Sequence, residues 1–239
     1  MHEEQILQLV KEDNPANPLS YVHNIVKPLA VNVLNDYILQ CNDCNICNCV
    51  KTIGYGNPNA SILIIGESSL EENQENKDNN PINNSCGETL KLILKKLAIN
   101  KDSIFFINSV NCFPTRESGQ EIIKRVPTVS ERKKCKTFLD YAIKIVEPLL
   151  IICLGSVATN DINEEIGKQA ISEIRGNYFN YRGIKVLPTY NPKYFDYLES
   201  LDTMDEEYIN SLRYDFFNDL KMGFFDLQKE YPDLDIIKE

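Results

Sequence analysis

Four short apolar runs recur along the middle of the chain. They cover residues 61–66, 103–110, 149–155 and 184–190, with Ile, Val, Leu or Phe at almost every position. Such unbroken apolar runs are typical of strands buried on both faces. The stretches CGETLKLILKKLA, SERKKCKTFLDYAIKIVE and SVATNDINEEIGKQAI separate the runs and show helical patterning, with Ser130 as the expected N-cap of the second. This alternation predicts a parallel sheet covered by helices on both sides.

The predicted fold class is therefore α/β, a three-layer α/β/α arrangement around a central, mainly parallel four-stranded sheet. Residues 1–40 read as an N-terminal helical extension, interrupted by the Pro-containing segment DNPANP. Residues 41–239 form the main predicted domain, which ends in a C-terminal helix within an acidic tail that starts at about residue 196. The aromatic stripe of that helix is expected to pack into the core.

Polar side chains stand where the predicted strands end. Glu67 and Ser68 follow the first strand, Asn108 lies near the end of the second, and Asn191 follows the fourth. The carboxyl ends of parallel strands share one edge of the sheet, and ligands bind there in α/β folds. We therefore expect these four side chains to face a common site.

Charge is distributed unevenly along the chain, whose net charge is -10. Residues 196–239 contain 13 Asp or Glu and 4 Lys or Arg, while the remaining residues are nearly neutral, with 22 acids and 21 bases. Contacts with nucleic-acid phosphates would have to be local. No apolar run approaches the roughly 18 residues of a membrane span, and the N-terminus lacks the features of a signal peptide. These features predict a cytoplasmic, intracellular protein that does not enter a membrane.

Eight cysteines are a second unusual feature. Four of them crowd into CNDCNICNC, at positions 41, 44, 47 and 49. Intracellular cysteines are seldom paired in disulfides, so metal or cluster ligation is the leading interpretation of this segment. Cys153, inside a predicted strand, is interpreted as a small buried apolar residue.

Five motifs occur in an order that resembles the uracil-DNA glycosylase superfamily, in particular its iron–sulfur branch, family 4. They are GYGNPNASILIIGES (54–68), FINSVNCFPT (106–115), RVPTVSERKKC (125–135), PLLIICLGSVA (148–158) and RGNYFNYRGIKVLPTYNPKYF (175–195). The similarity extends from residue 41 to about residue 220. It implies a DNA glycosylase that removes uracil, or a related modified uracil, from DNA.

The resemblance also implies a four-iron, four-sulfur cluster. Cys41 and Cys44 match the first cysteine pair of the family best, with Cys44 and Cys47 as the second choice, and Cys112 and Cys135 complete the set. Zinc is the alternative ligand, because four-cysteine zinc sites use similar spacings.

The resemblance assigns roles in the pocket as well. Asn108 would read the edge of uracil, and Glu67 would position water or stabilise the transition state in a loop with Gly66 and Ser68. A second acid of the family corresponds to Glu75 if two residues are inserted, or to Asn73 without a gap.

The chain departs from the family pattern in three places. The loop has Ser69-Leu70 where the family has Pro-Gly, Ile82 takes the place of a Phe that stacks on uracil, and Asn191 takes the place of a His. An amide at 191 can still donate to O2 of the base. The competing hypotheses are a catalytically weak or inactive relative that acts as a DNA- or protein-binding subunit, with the acidic tail as a protein-binding segment, and a zinc-stapled α/β domain of other function.

Overall fold

The predicted alternation of strands and helices is present in the computed structural model, which describes residues 22–44, 51–69, 79–118, 121–201 and 203–238. Eight strands are described: β1 (Tyr55–Gly56), β2 (Ile62–Ser68), β3 (Ile104–Val110), β4 (Thr115–Ser118), β5 (Glu121–Lys124), β6 (Leu150–Leu154), β7 (Phe179–Tyr181) and β8 (Ile184–Thr189). The described helices are α1 (Lys27–Gln40), α2 (Ser85–Lys96), α3 (Val129–Val146), α4 (Gly155–Ile162), α5 (Glu164–Gly167), α6 (Ile171–Ile174), α7 (Lys193–Glu199) and α8 (Glu206–Glu230). A π-helical turn (Val22–Val26) precedes α1, and a 3-10 turn (Lys101–Ser103) precedes β3.

The main sheet has six strands in the order β1-β3-β2-β6-β8-β7. Its four central strands are parallel to one another and are the four apolar runs of the sequence. The prediction of four strands omitted β1 and β7, which pair antiparallel at the two edges. Both are only two or three residues long and are partly exposed, so neither produces an apolar run.

Alternate side chains of the central strands enter two separate cores, which confirms the three-layer arrangement. In β2, Ile62 and Ile64 pack toward α2, α7 and α8, whereas Leu63 and Ile65 pack toward α1, α3 and α4. Successive side chains on a strand point to opposite faces, so each residue of a doubly covered strand must be apolar.

The described part of the N-terminal extension is α1, and it packs into the second core through Ala30, Leu34 and Ile38. Lys27 holds the N-terminus of α1 in place, because the Nζ of Lys27 donates to the carbonyl of Val146 at 3.0 Å. Residues 1–21 of the extension lie outside the described residues. Helix α1 is therefore packed into the same core as the central strands.

The aromatic stripe of α8 was expected to pack into the core, and only part of it does, because three of its rings are exposed: Tyr208, Tyr214 and Phe225. Phe216 and Phe224 are almost fully enclosed in the first core. One acid of this helix, Asp219, is buried too; it accepts hydrogen bonds from Arg175 at 2.8 Å and from Thr189 at 2.7 Å. The C-terminal helix is therefore one of the layers of the fold.

Two local expectations need correction. The N-cap of α3 is Thr128, because its hydroxyl accepts from Glu131 N while Glu131 accepts from Thr128 N, a reciprocal capping box that outcompetes the expected Ser130. The third helical stretch is divided into α4, α5 and α6, since Asn163 ends α4 and caps α5. Among the described residues, we find no helix with the length and apolar character needed to cross a bilayer.

Candidate active site

A pocket of about 480 Å³, including its open side, lies at the carboxyl edge of the central strands. Six residues predicted from the sequence line it: Gly66, Glu67, Ser68, Ile82, Asn108 and Asn191. They come from the end of β2, the segment before α2, the end of β3 and the segment after β8. The parallel sheet therefore brings together side chains up to 125 positions apart in the sequence. Glu75 and its alternative Asn73 lie outside the described residues.

The floor of the pocket is apolar and was not anticipated. Ile64, Leu90, Phe106 and Leu154 line it, all from the first core. Phe106 precedes Asn108 by two residues in β3, so both side chains lie on the same face of the sheet. This alternation of side chains is visible in the sequence, but the prediction did not use it to place Phe106 in the pocket. A planar base entering the pocket would meet an aromatic ring as well as Ile82.

Asn108 is a buried amide of the pocket, with 5% of its surface exposed. Its Nδ2 donates to Oγ1 of Thr52 at 3.0 Å. Its Oδ1 lies beside Gly66, where a Cβ would come within 2.2 Å of that oxygen. Only glycine at position 66 leaves room for the amide in this place, which explains why the two residues pair across β2 and β3.

A second close contact sets the position of Ile82, which lines the pocket. A Cβ at Gly87 would lie 1.9 Å from the carbonyl oxygen of Ile82, so a glycine in the first turn of α2 lets that helix approach the segment before it. Asn84 caps α2 by accepting from Gly87 N at 2.9 Å, and its Nδ2 donates to the carbonyl of Pro81 at 2.8 Å. Cap and close approach together fix the position of Ile82.

Asn191 is held in one orientation by the turn that starts α7. Its Oδ1 accepts from Lys193 N at 3.1 Å. The amide NH2 is therefore the part of the side chain that remains to donate to a ligand. Gly155, with φ of +88°, packs against it, and a Cβ there would come within 3.0 Å of Asn191 Cβ. The described contacts thus place a hydrogen-bond donor at the pocket.

The segment that follows Glu67 at the end of β2 is anchored to two neighbouring segments. Glu67 itself is half-buried, and Ser68 is buried. The next residue, Ser69, donates its N–H to the carbonyl of Cys112 at 3.2 Å, and its own carbonyl accepts from Lys124 Nζ at 2.7 Å. Lys124 belongs to the β4–β5 hairpin. The hairpin therefore supports the loop.

We call the four predicted ligand cysteines the four-cysteine site: Cys41, Cys44, Cys112 and Cys135. Cys41 directly follows α1, Cys112 lies just beyond β3, and Cys135 lies on α3. Cys135 is buried and the other three are half-buried. Cys47, the alternative ligand, lies outside the described residues.

Electrostatic coupling links three of these thiols. Burial raises the pKa of Cys135 to about 11, and the neighbouring Cys44 and Cys41 raise it further, against a lowering by the backbone N–H of Asn111. Burial also raises the pKa of Cys44, while the charge of Lys134 lowers it. Within the described ranges, no three Cys, His, Asp or Glu side chains are close enough to hold a metal ion. The predicted donor set of four thiols is chemically suited to a cluster or to zinc.

Cys153, by contrast, is completely buried inside β6, and burial raises its pKa strongly, as expected of an apolar core residue.

Comparison with known proteins agrees with this geometry. The family model of the uracil DNA glycosylase superfamily matches residues 53–213, which include every described pocket residue discussed above except Thr52. The chain therefore belongs to the uracil DNA glycosylase superfamily.

Similar individual proteins point to one branch of it. The chain is 30% identical to the type-4 uracil-DNA glycosylase of Thermotoga maritima over 168 residues, which is 68% of this chain and 81% of that protein. It is 28% identical to the type-4 enzyme of Sulfurisphaera tokodaii over 191 residues, 75% of this chain and 82% of that protein. With the type-4 enzyme of Archaeoglobus fulgidus it shares 25% identity over 170 residues, 66% of this chain and 81% of that protein.

Proposed function

We propose that this protein is a DNA glycosylase that hydrolyses the N-glycosidic bond of uracil, or of a related modified uracil, in DNA, as in base excision repair. The observation that carries the proposal is the single pocket lined by Glu67, Asn108 and Asn191. Enzymes that act on a base within DNA must take it out of the stack and enclose it in such a pocket. The names of the type-4 relatives support uracil as the base.

Asn108 is the proposed base reader. Its amide oxygen can accept from N3–H of uracil while its NH2 donates to O4. Cytosine presents the opposite pattern at these two atoms and would leave the buried amide mispaired. Gly66 and Ser68 would form the adjoining wall, with Phe106 and Ile82 as the apolar surfaces for the ring.

Hydrolysis breaks the bond between the sugar C1′ and N1 of the base, a water oxygen bonds to C1′, and the proton that this water loses passes to solvent or to the departing base. The base leaves with the electron pair of the broken bond, so negative charge develops on its O2. The NH2 of Asn191 would donate to that oxygen, and an amide donor of this kind contributes about 2.7–4 kcal/mol in comparable sites. Glu67 would orient the water or stabilise the positive charge on the sugar. Glu75 stays a prediction for a further acid.

We also propose that the four-cysteine site holds a four-iron, four-sulfur cluster through Cys41, Cys44, Cys112 and Cys135. Its role would be structural, since Cys112 is directly hydrogen-bonded through its carbonyl to the Glu67 loop. Zinc is the alternative, and colour separates the two: a cluster gives brown protein with broad visible absorption, whereas zinc protein is colourless.

The decisive experiment is base release from a labelled single-stranded oligonucleotide with one uracil, followed by alkaline cleavage of the abasic site. We expect wild-type protein to cleave, and a Glu67→Gln, Asn191→Ala double variant to lose activity while it keeps its visible absorption and melting temperature. Glu199→Gln, an exposed acid on α7, is the matched control and should retain activity. Asn108→Asp should remove uracil selectivity; unchanged excision by this variant would refute the role of Asn108.

One observation favours a second candidate function. With Asn191 as the donor, the pocket described here has no histidine, and the chain's two histidines, His2 and His23, precede the pocket residues in sequence. A catalytically weak member could serve as a DNA- or protein-binding subunit, with the acidic tail as the protein-binding segment. Absence of cleavage of any uracil-type base at high enzyme excess, together with retained DNA binding, would support this alternative.

A further inference from the structure

Asn108 has one side-chain hydrogen-bond partner that the pocket prediction did not include. Thr52 Oγ1 accepts from Asn108 Nδ2 at 3.0 Å, and the two residues are 2% and 5% exposed. Water therefore has little access to this contact. In such surroundings, a lost partner leaves a buried amide N–H unsatisfied, which is costly.

The backbone of Thr52 is itself fixed on both sides of the pocket. Its N–H donates to the carbonyl of Asn111, just beyond β3, at 2.8 Å. The N–H of the next residue, Ile53, donates to the carbonyl of Asn79 at 2.9 Å, in the segment that leads to Ile82. The main chain that carries this hydroxyl is consequently held in place.

We infer that Thr52 is a positioning residue that sets the amide of Asn108 for uracil; this inference rests on the proposed function. Asn108 Nδ2 carries two hydrogens. One is directed to Thr52, which leaves the other for O4 of the base, while Oδ1 beside Gly66 is left to accept from N3–H. Thr52 acts through Asn108 and need not touch the base.

Removal of the hydroxyl frees the amide to turn. A half-turn about the Cβ–Cγ bond of Asn108 would place the amide NH2 opposite N3–H of uracil and the amide oxygen opposite O4. This arrangement disfavours uracil and suits cytosine. A threonine without its hydroxyl should therefore weaken uracil excision and reduce discrimination between uracil and cytosine, without disturbing Glu67 or Asn191.

The test compares Thr52→Val, which removes the hydroxyl at nearly constant volume, with Thr52→Ser, which keeps it. Single-turnover excision of uracil should fall about tenfold or more in Thr52→Val and recover to within about threefold of wild type in Thr52→Ser. Inhibition by free uracil relative to free cytosine should weaken in the same variant. Ser103→Ala is the matched control, because it removes a buried hydroxyl that donates to Asn100 at the opposite end of β3.

A spectroscopic measurement separates this inference from the proposed function. The side-chain amide signals of Asn108, assigned by their absence in Asn108→Asp, should shift in Thr52→Val and stay near their wild-type positions in Thr52→Ser and Ser103→Ala. Thr52→Ala provides the same comparison if Thr52→Val does not fold. Wild-type protein that excises no uracil would overturn the proposed function, while the amide signals would still decide the contact. Unchanged signals, or unchanged excision by folded Thr52→Val from an active wild type, would overturn the role of Thr52.

Discussion

The pocket and the four-cysteine site adjoin the same strand, β3, yet they are organised differently. In the pocket, main-chain contacts hold the predicted side chains: Gly66 faces Asn108, Gly87 faces Ile82, and Lys193 N holds Asn191. Around the cysteines, the described hydrogen bonds from Lys51 and Lys134 reach backbone carbonyls of residues 39, 41 and 43.

This difference shows what holds the side chains of each site in place. The pocket is built by the packing of the polypeptide and should exist before any ligand binds. Burial raises the pKa of Cys44 and of Cys135, which favours their neutral thiol forms until a cation replaces the protons. We therefore expect the pocket to respond most to changes of shape, and the four-cysteine site to the loss of what it binds.

The largest expected effect is that of Gly66→Ala. The new Cβ would lie 2.2 Å from Asn108 Oδ1 and must displace the amide, and a displacement of about 1 Å can lower the rate by roughly a hundredfold. Single-turnover uracil excision measures this loss. The control is Gly183→Ala, in a turn with open space around it, where strain at a φ of +89° should lower stability but not activity. Near-normal excision by Gly66→Ala would contradict the preformed pocket.

Loss of one predicted cluster ligand tests the four-cysteine site. With the proposed cluster bound in the wild type, Cys135→Ser should lose most of the iron and the visible absorption, and its free energy of unfolding should fall by about 3–4 kcal/mol as the linked binding energy is lost. Its uracil excision should fall by less than that of Gly66→Ala. Iron analysis, absorption spectra and urea unfolding measure these effects. Cys153→Ala, the other fully enclosed thiol, should keep its iron; equal loss in both variants would indicate general destabilisation.

A gain of activity would sharpen the account of the pocket. Ile82→Phe places a second aromatic surface beside the base, and base–aromatic stacking is worth about 1–3 kcal/mol. Part of this is already supplied by Phe106 and by Ile82 itself, so excision should rise about threefold to tenfold. The ratio of the catalytic rates, measured on the same oligonucleotide, checks this. A decrease would mean that the space beside Gly87 is too small for the ring.

The smallest effect is expected outside both sites. Burial, with the hydrogen bond from Tyr178 Oη to Asp226, raises the pKa of Tyr178 above its usual value of 10.0. The unfolded chain therefore ionises first, and stability falls as pH rises above about 10. Tyr178→Phe should make this alkaline decline less steep in urea unfolding at different pH values, with excision and iron content unchanged. An equal slope would contradict this contribution.

Much of the site was accessible from the sequence, for a local reason. Glu67, Asn108 and Asn191 each stand next to an apolar run, and the edge rule for parallel strands brings them together. Two other residues of the site have no comparable signal in the sequence. Thr52 lies in a segment without periodicity, and Phe106 looked like any other apolar strand residue.

The order of strands and helices, the parallel central sheet and the edge at which the site lies follow from the amino-acid sequence, because period, apolar runs and strand ends are local properties. Tertiary packing alone produces the short edge strands, the contact of Thr52 with Asn108 and the close approaches at Gly66, Gly87 and Gly155. These depend on which backbone atoms meet after distant segments pack. A glycine or threonine that serves such a contact is identical, in sequence, to one that does not.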